Sequence, residues 1–262
     1  MVGSQQGLAG VIAPEPLYVA GLKVTPLPLS DAVEMFLADA RAGRAGVYVF
    51  VNGQSAMLRR HSEAYASVLN DPRTVGLVDG SAVELAGKLR GVRNIERCPG
   101  PDFFAEAARL ASGEGVTFYL LGGNEGIADQ VADKLTATNP ALVVKGTKCP
   151  PFGVWDEKVS ADLVAGVTNS GANALWLGVS APKQETWAIA HAEQLGMPVA
   201  CVGAAFDFIT ECQPRAPRWM RALRLEWLFR LATEPKRLWR RYLVGNTIFI
   251  WDAIRFGNRP SQ

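Results

Sequence analysis

The stretch "VYVFVNGQSAMLRRHSEAYASVLNDPRTVGLVDGSAVELAGKLR", residues 47–90, decides the fold. VYVFV (47–51) is a short β-branched and aromatic run that reads as a buried strand, and SAMLRRHSEAYASVLN (55–70) reads as a helix. VGLV (75–78) is a second strand and AVELAGKLR (82–90) a second helix. Strand, helix, strand, helix within some forty residues is the pattern of parallel strands joined by crossover helices. Both faces of such a sheet are covered, which is why its strands are apolar throughout.

The alternation continues outward. VTFYLL (116–121), ALVVKG (141–146), ALWLGV (174–179) and PVACVG (198–203) read as further strands. Helices are predicted between them at about 101–112, 125–138, 156–169 and 182–195. PLPLSDAVEMFLADARAG (26–43) supplies another, with Ser30 or Asp31 as its cap, Glu34 in its first turn, and Val33, Phe36, Leu37 and Ala40 on one face. No internal repeat or low-complexity segment interrupts the series. Strand signals stop near residue 210, so a boundary is placed at Glu211–Pro214. The expected organisation is a flexible segment over 1–20, an α/β core over 21–210 and a helical appendage over 211–262.

The totals agree with a globular chain of this kind. The 262 residues are 48% hydrophobic and 20% charged, with a net charge of +2. That balance excludes a protein coated in basic residues for bulk nucleic-acid binding. The charge is unevenly spread, however. "RAPRWMRALRLEWLFRLATEPKRLWRRYL" (215–243) holds eight Arg among Trp and Leu, which points to a local anionic partner. Cys98, Cys149, Cys201 and Cys212 have neither C-x-x-C spacing nor a secreted framework, which implies a reducing compartment. Two histidines cannot build a His-rich metal site. The N-terminus lacks signal-peptide features. The most apolar stretch, YLVGNTIFIWDAIRF (242–256), is short and carries Asn246 and Asp252. A cytosolic protein that touches a membrane without crossing it is expected.

In open parallel sheets ligands bind beyond the carboxyl ends of the strands. The residues there are Asn52, Asp79, Gly122-Gly123-Asn124, SAPKQE (180–185), Gly203 and Asp207. Each has a bland reading. Asp79-Gly80 is equally a turn or a helix cap. LLGGNEG lacks the G-x-G-x-x-G spacing, and its glycine pair is either a tight turn or a close approach to a phosphate. Lys183, Gln184 and Glu185 are either a solvated first turn after Pro182 or, at Gln184, a donor and acceptor for a sugar or base. Arg97 either pairs with its neighbour Glu96 on the surface or stands on a loop near the strand ends. The loop Pro99–Asp102 caps the helix starting near Phe103.

In order along the chain stand N-G-Q-S (52–55), V-D-G (78–80), R-C-P-G-P-D (97–102), L-L-G-G (120–123), A-P-K-Q-E (181–185), G-A-A-F-D (203–207), R-A-P-R-W (215–219) and L-E-W-L-F-R-L-x-x-E-P-x-R (225–237). This series resembles the WecG/TagA/CpsF family of bacterial glycosyltransferases, also called glycosyltransferase family 26, over residues 20 to 243. The resemblance implies a Rossmann-like core with a membrane-associating C-terminal appendage that completes the active site (a GT-E-like arrangement). It implies inverting, metal-independent transfer from a UDP-sugar to an undecaprenyl-diphosphate-linked sugar on the cytoplasmic membrane face, as a peripheral enzyme of surface polysaccharide or exopolysaccharide assembly. By motif, Asp79 matches the proposed general base, Arg97 the residue that holds the acceptor sugar, and Gln184 and Asn52 further site residues. Arg230, Arg237 and Arg240 match appendage arginines that bind the diphosphate. Self-association is compatible with the resemblance and fixed by no sequence feature. The chain departs from many members at Phe50, where they carry Thr two positions before the Asn.

The chemistry fits these residue types. Attack at an anomeric carbon needs a base for the acceptor hydroxyl, and a carboxylate at a strand end supplies one. The departing diphosphate needs cationic or helix N-terminal stabilisation, and the chain has no clear D-x-D motif, which suits a metal-free route without a cofactor. Gly122, Gly123, Asn124 and Lys183 are assigned to the nucleotide. Met220, Leu223, Trp227 and Leu231 fall on one face of a predicted helix over 217–231, with Arg221 and Arg224 beside it. Arg237, Arg240 and Arg241 are set against Leu238, Trp239, Tyr242 and Leu243 in a second. Basic amphipathic helices with Trp suit a headgroup zone, whereas a helix pair packed on the core with snorkelling arginines is the alternative. The expectation is that one apolar face covers the core in one state and meets lipid in another. Two rival readings remain: a Rossmann-type cofactor enzyme using LLGGNEG, and a membrane-surface adaptor without catalysis.

Overall fold

The apolar runs form strands close to those predicted for them, except that the strand expected over 141–146 lies over Val143–Lys148 and takes in two polar residues. In a computed structural model that describes residues 14–92, 95–111, 115–214, 216–217, 219–220, 223, 225–257 and 259 (side chains at 237 and 240–242 excepted), six parallel strands make one sheet. They are β3 (Gly46–Val51), β4 (Thr74–Val78), β5 (Thr117–Gly122), β6 (Val143–Lys148), β7 (Ala174–Gly178) and β8 (Pro198–Cys201). Their order across the sheet is β4-β3-β8-β7-β5-β6. Two short antiparallel strands, β1 (Leu17–Val19) and β2 (Leu22–Val24), form a separate hairpin.

Alternation along each strand divides the core into two layers. One face carries Tyr48, Leu77, Phe118, Leu120 and Trp176 against α1 (Leu29–Ala42), α5 (Gly100–Leu110), α6 (Ile127–Thr138) and α9 (Ala205–Ile209). Trp176 is fully buried at its centre, stacked on Phe104 with ring centroids 4.0 Å apart. The other carries Val47, Val49, Leu121, Leu175 and Val199 against α3 (Glu63–Asn70), α4 (Ser81–Leu89), α7 (Glu157–Asn169), α8 (Lys183–Leu195) and the hairpin. The helix expected over 55–70 is broken into α2 (Gly53–His61) and α3, because Ser62 turns extended and its Oγ accepts the Tyr65 N–H. α1 is entered from Pro28 without a side-chain cap, and the Ser30 hydroxyl bonds Asp31 instead.

Residues 17–20, assigned from sequence to a flexible segment, are ordered by burial. Val19 and Ala20 are fully covered, and the hairpin passes so close to β4 that a Cβ at Gly76 would lie 2.5 Å from the Lys23 carbonyl oxygen.

The C-terminal region is helical, as expected, but divided differently. Leu225 donates its N–H to the Met220 carbonyl, five residues back, which ends the preceding turn. α10 therefore begins at Glu226 and ends at Thr233, and Met220, Leu223, Trp227 and Leu231 do not share one continuous helix. Arg221 and Arg224 lie outside the described residues. α11 then runs unbroken from Pro235 to Phe256. Its inner side lies along α2. Asp252, fully buried, accepts from Arg59 at 2.7 Å and also from Arg60, and a Cβ at Gly245 would lie 3.5 Å from the Gly53 carbonyl oxygen. Among the described residues no helix is long and apolar enough to cross a membrane.

Candidate active site

β3 and β4 are neighbours with Val51 opposite Val78, so the next residues, Asn52 and Asp79, emerge side by side at the carboxyl edge. Asn52 caps α2: its Oδ1 accepts the Gln54 N–H at 3.0 Å, while the Ser55 hydroxyl accepts the Asn52 N–H at 3.1 Å. This fixes the amide so that Nδ2 donates to Asp79 Oδ2 at 3.2 Å. The Asp79 and Gly80 N–H groups both donate to the Val51 carbonyl. Gly80 is required here, since a Cβ would stand 2.9 Å from that of Asn52. Among the described residues Asn52 is the hydrogen-bond donor to the half-buried Asp79 carboxylate, whose other oxygen can accept a proton.

Arg97 joins this pair. The Cys98 N–H bonds the Val78 carbonyl and lays the loop beside β4, so that Arg97 Nε donates to the Asp79 carbonyl at 2.9 Å. Its terminal nitrogen faces Glu226 of α10 at 3.7 Å, not the adjacent Glu96. Burial first, then the charges of Asp79 and Asp102, push the Cys98 thiol far up, which makes it an inert buried neighbour of the site. The helix following the loop starts at Gly100 from Pro99, somewhat earlier than the expected Phe103.

Gln184 lies one strand further along. It is buried, with Oε1 accepting the Gly203 N–H at 3.0 Å and Nε2 donating to the Cys201 carbonyl and Glu185. Its amide thus shapes the turn after β8, next to β3 and Asn52. Glu185 is also buried, and burial raises its carboxyl to about 7, the Gln184 bond only partly opposing this. Phe50 packs edge-on against Phe103 at 5.4 Å, and a Cβ at Gly100 would touch it, so its ring is part of the packing beneath the loop that carries Arg97.

The glycine turn stands elsewhere on the rim. Gly122 (φ 152°) approaches β7 so closely that a Cβ would lie 2.4 Å from the Gly178 carbonyl oxygen, and the Gly123 N–H donates to that oxygen at 3.0 Å. Packing alone demands this pair of glycines. Four strand spacings separate the tips of β5 and β4, about 19 Å along the edge. The connections from β5 and β7 leave in opposite directions, toward β6 and β8, which makes this a topological switch point. Asn124 is exposed beside it.

Lys183 does not point freely into this space. Its ammonium donates to the Gly153 carbonyl at 3.0 Å and lies 4.1 Å from the centre of the Trp155 ring, and burial lowers its pKa. It pins the loop Cys149–Trp155, whose other end is tied by the Cys149 thiol to the Gly123 carbonyl at 3.4 Å. Between these ties Phe152 is fully exposed. Sequence reasoning passed over this loop, although C-P-P-F-G directly after a strand was a signal: two prolines stiffen the backbone and an aromatic follows.

In the appendage, Arg230 places its guanidinium over the Phe208 ring at 5.2 Å, with Nε buried and unpaired among the described residues. It lines a cleft of about 320 Å³ with Gln213, Pro214, Thr233 and Glu234. The backbone of α11 carries Arg237 and Arg240, whose side chains lie outside the described residues. Glu226 is the second residue that sequence reasoning missed. It is one of two carboxylates within 215–243, an acid among eight arginines, and that oddity was its signal.

Asn52, Asp79 and Arg97 are therefore brought together, Gln184 holds the neighbouring turn after β8 without touching them, and Gly122–Asn124 with Lys183 mark the other end of the same edge. The model of the glycosyl transferase WecG/TagA/CpsF family matches residues 17–262, from the first strand of the hairpin to the end of the appendage. With a match that spans core and appendage alike, the chain belongs to the WecG/TagA/CpsF family and is a glycosyltransferase.

Proposed function

We propose that this glycosyltransferase moves a sugar from a UDP-sugar to an undecaprenyl-diphosphate-linked sugar, with inversion and without a metal, during assembly of a surface polysaccharide. The observation that carries the reading is the Asp79 carboxylate, oriented by Asn52 and flanked by Arg97 at the strand edge. Asp79 takes the proton of the acceptor hydroxyl as that oxygen attacks the anomeric carbon. The bond from that carbon to the diphosphate breaks, and UDP leaves with the electron pair. The nucleotide lies toward Gly122–Asn124 and the Lys183-pinned loop, where Phe152 offers a face for the base. The sugar then extends along the edge toward Asp79. Arg230, Arg237 and Arg240 receive the diphosphate of the lipid, Arg230 from the cleft beside Phe208.

Attachment to the inner membrane surface is supported by the outer side of α11. Trp239, Leu243, Ile250, Trp251 and Ile254 are exposed there, mostly at spacings of four and seven. Amphipathic helices with basic flanks bind anionic headgroups in this way. Self-association is compatible with the same apolar surface.

The decisive experiment is a panel of UDP-sugars with a short-chain prenyl-diphosphate sugar as acceptor, read by product mass and released UDP. Turnover with at least one donor is expected, together with its loss in Asp79→Asn at unchanged melting temperature. An Asp79→Asn variant that retains full turnover would remove the carboxylate from the mechanism. Liposome flotation of the triple variant Leu243→Glu/Ile250→Glu/Ile254→Glu is expected to lose binding, and retention would remove the membrane role of α11.

A further inference from the structure

Arg97 directs its guanidinium two ways. Nε is committed to the Asp79 carbonyl at 2.9 Å, which fixes the plane of the group. The terminal nitrogens face α10, where Glu226 Oε2 stands 3.7 Å away, outside normal hydrogen-bond reach. Both side chains are mostly covered, at 17% and 18% exposure, so the attraction is screened less than at an open surface. The result is a charge pair without a short bond. Guanidinium recognises carboxylate or phosphate best through two parallel bonds near 2.8 Å, and that geometry is unused here.

The position of the acid is as informative as its distance. Glu226 opens α10, where the helix N-terminus favours a negative charge whether or not Arg97 is near. It also sits in a stretch whose other charges are overwhelmingly cationic. An acid there weakens attraction for any anion approaching the appendage, unless its purpose is to meet a particular cation.

We propose that Glu226 is a displaceable counter-ion for Arg97: it occupies the guanidinium edge beside Asp79 until an oxyanion of a diphosphate takes its place with short bidentate bonds. The inference rests on the proposed function in taking the region beside Asp79 as a substrate site. It makes Glu226 a positioning residue that acts through Arg97, and makes the site selective for a group with two oxyanions over a neutral sugar. The resemblance put Arg97 on the acceptor sugar; its carboxylate partner suits an anion better. The diphosphate has two sources, the leaving nucleotide and the lipid acceptor, and they can be told apart.

The test compares the full-length protein with Glu226→Gln. Calorimetry measures affinity for UDP and for inorganic pyrophosphate, and steady-state kinetics give KM for donor and acceptor separately from kcat. Removing the competing charge is expected to tighten diphosphate binding about two- to fivefold, the scale of a partly exposed ion pair. A lower acceptor KM with unchanged UDP affinity identifies the lipid diphosphate, and tighter UDP with unchanged acceptor KM identifies the nucleotide. In an Arg97→Ala background the Glu226→Gln effect must vanish. Weaker binding of both ligands, no change in either, or an equal effect without Arg97 would overturn the proposal. If Glu226→Gln lowers the melting temperature, Glu226→Asp, with its carboxylate drawn back by one methylene, must shift binding in the same direction. Failure of the wild type to turn over any UDP-sugar removes the proposed function instead, while the pyrophosphate arm still decides the counter-ion.

Discussion

Replacing Asp252 by Ala tests how the appendage is held. Asp252 is fully buried, and its partners Arg59 and Arg60 have side-chain exposures of 7% and 35%. Arg60 can turn to water when the carboxylate is lost, so the cost falls mainly on Arg59. That guanidinium has a buried Nε already unpaired, and its other neighbours are the Gly21 carbonyl at 3.4 Å and the Phe256 ring at 5.2 Å. Removing one partner of a buried pair costs about 3–5 kcal/mol, and the half-open Arg60 places this site at the lower end, ~3 kcal/mol. For a chain of this size that corresponds to a fall of about 6–12 °C in melting temperature. Thermal and urea unfolding followed by circular dichroism would measure it. Arg59→Met/Asp252→Leu should recover most of the loss, because an apolar pair leaves no buried charge. Because α2 begins at the cap Asn52, loosening α11 should also lower kcat at temperatures where the protein remains folded. An Asp252→Ala variant within about 1 °C of wild type, or a double variant as unstable as the sum of the singles, would refute this account.

Asn52→Ala removes both a helix cap and the donor to Asp79, so stability should drop by about 1 kcal/mol while kcat falls far more than that loss explains. An unchanged kcat in this variant would show that Asp79 needs no orientation. Phe152→Ala should weaken UDP binding about tenfold, the scale of base stacking on an aromatic ring, with Phe152→Trp restoring it, and equal affinity in all three proteins would detach the loop from the nucleotide. Glu185 has a folded pKa of about 7 against an ordinary 4.5, so the folded state holds its proton more tightly than the unfolded chain. Its destabilising contribution therefore grows as pH rises through that window, reaching on the order of 3 kcal/mol above it. Glu185→Gln should gain stability over wild type between pH 5 and 8, and a difference that does not vary with pH would contradict the buried carboxyl.

The five inner and β4-side strands were legible because each is a short apolar run bounded by polar turns, whereas the edge strand β6, VVKGTK, lies two residues beyond the run ALVVKG because its second half is polar and half exposed. The hairpin over 17–24 was not: three-residue strands leave too little periodicity, and Lys23 breaks the apolar pattern. The break at Ser62 follows from a cap chemistry that a continuous apolar face conceals. At the site, Asn52 and Asp79 were readable from their places after neighbouring strands, since parallel register aligns strand ends. Arg97 was readable as a loop residue, but its partner was not, because the chain places Glu226 beside it only through the appendage. Gln184 was readable as a motif and not as a clamp, since its role depends on the Gly203 turn that it reaches across β8. Lys183 looked like a phosphate ligand by charge and place, and its aromatic neighbour comes from a loop with no local signal of approach.

The core-packing and lipid-binding readings of the C-terminal stretch need not compete. The sequence suggested a single apolar face that either covers the core or meets lipid, and so required an exchange between states. α11 instead carries two faces at once. Leu238, Gly245, Phe249 and Asp252 lie inward, Leu238, Phe249 and Asp252 almost or fully covered, while Trp239, Leu243, Ile250 and Ile254 face outward and are exposed. A surface that binds lipid from this outer side leaves the inner contacts with α2 intact. α2 begins at the cap of Asn52 and ends with the arginines that grip Asp252, so one helix joins the proposed membrane face to the carboxylate pair. Membrane attachment in this arrangement requires no undocking of the appendage. It predicts that vesicles of anionic lipid protect the outer residues of α11 from labelling without increasing hydrogen exchange at the α2–α11 contact. Increased exchange at that contact on vesicle binding would restore the exchange between states and separate the two faces again.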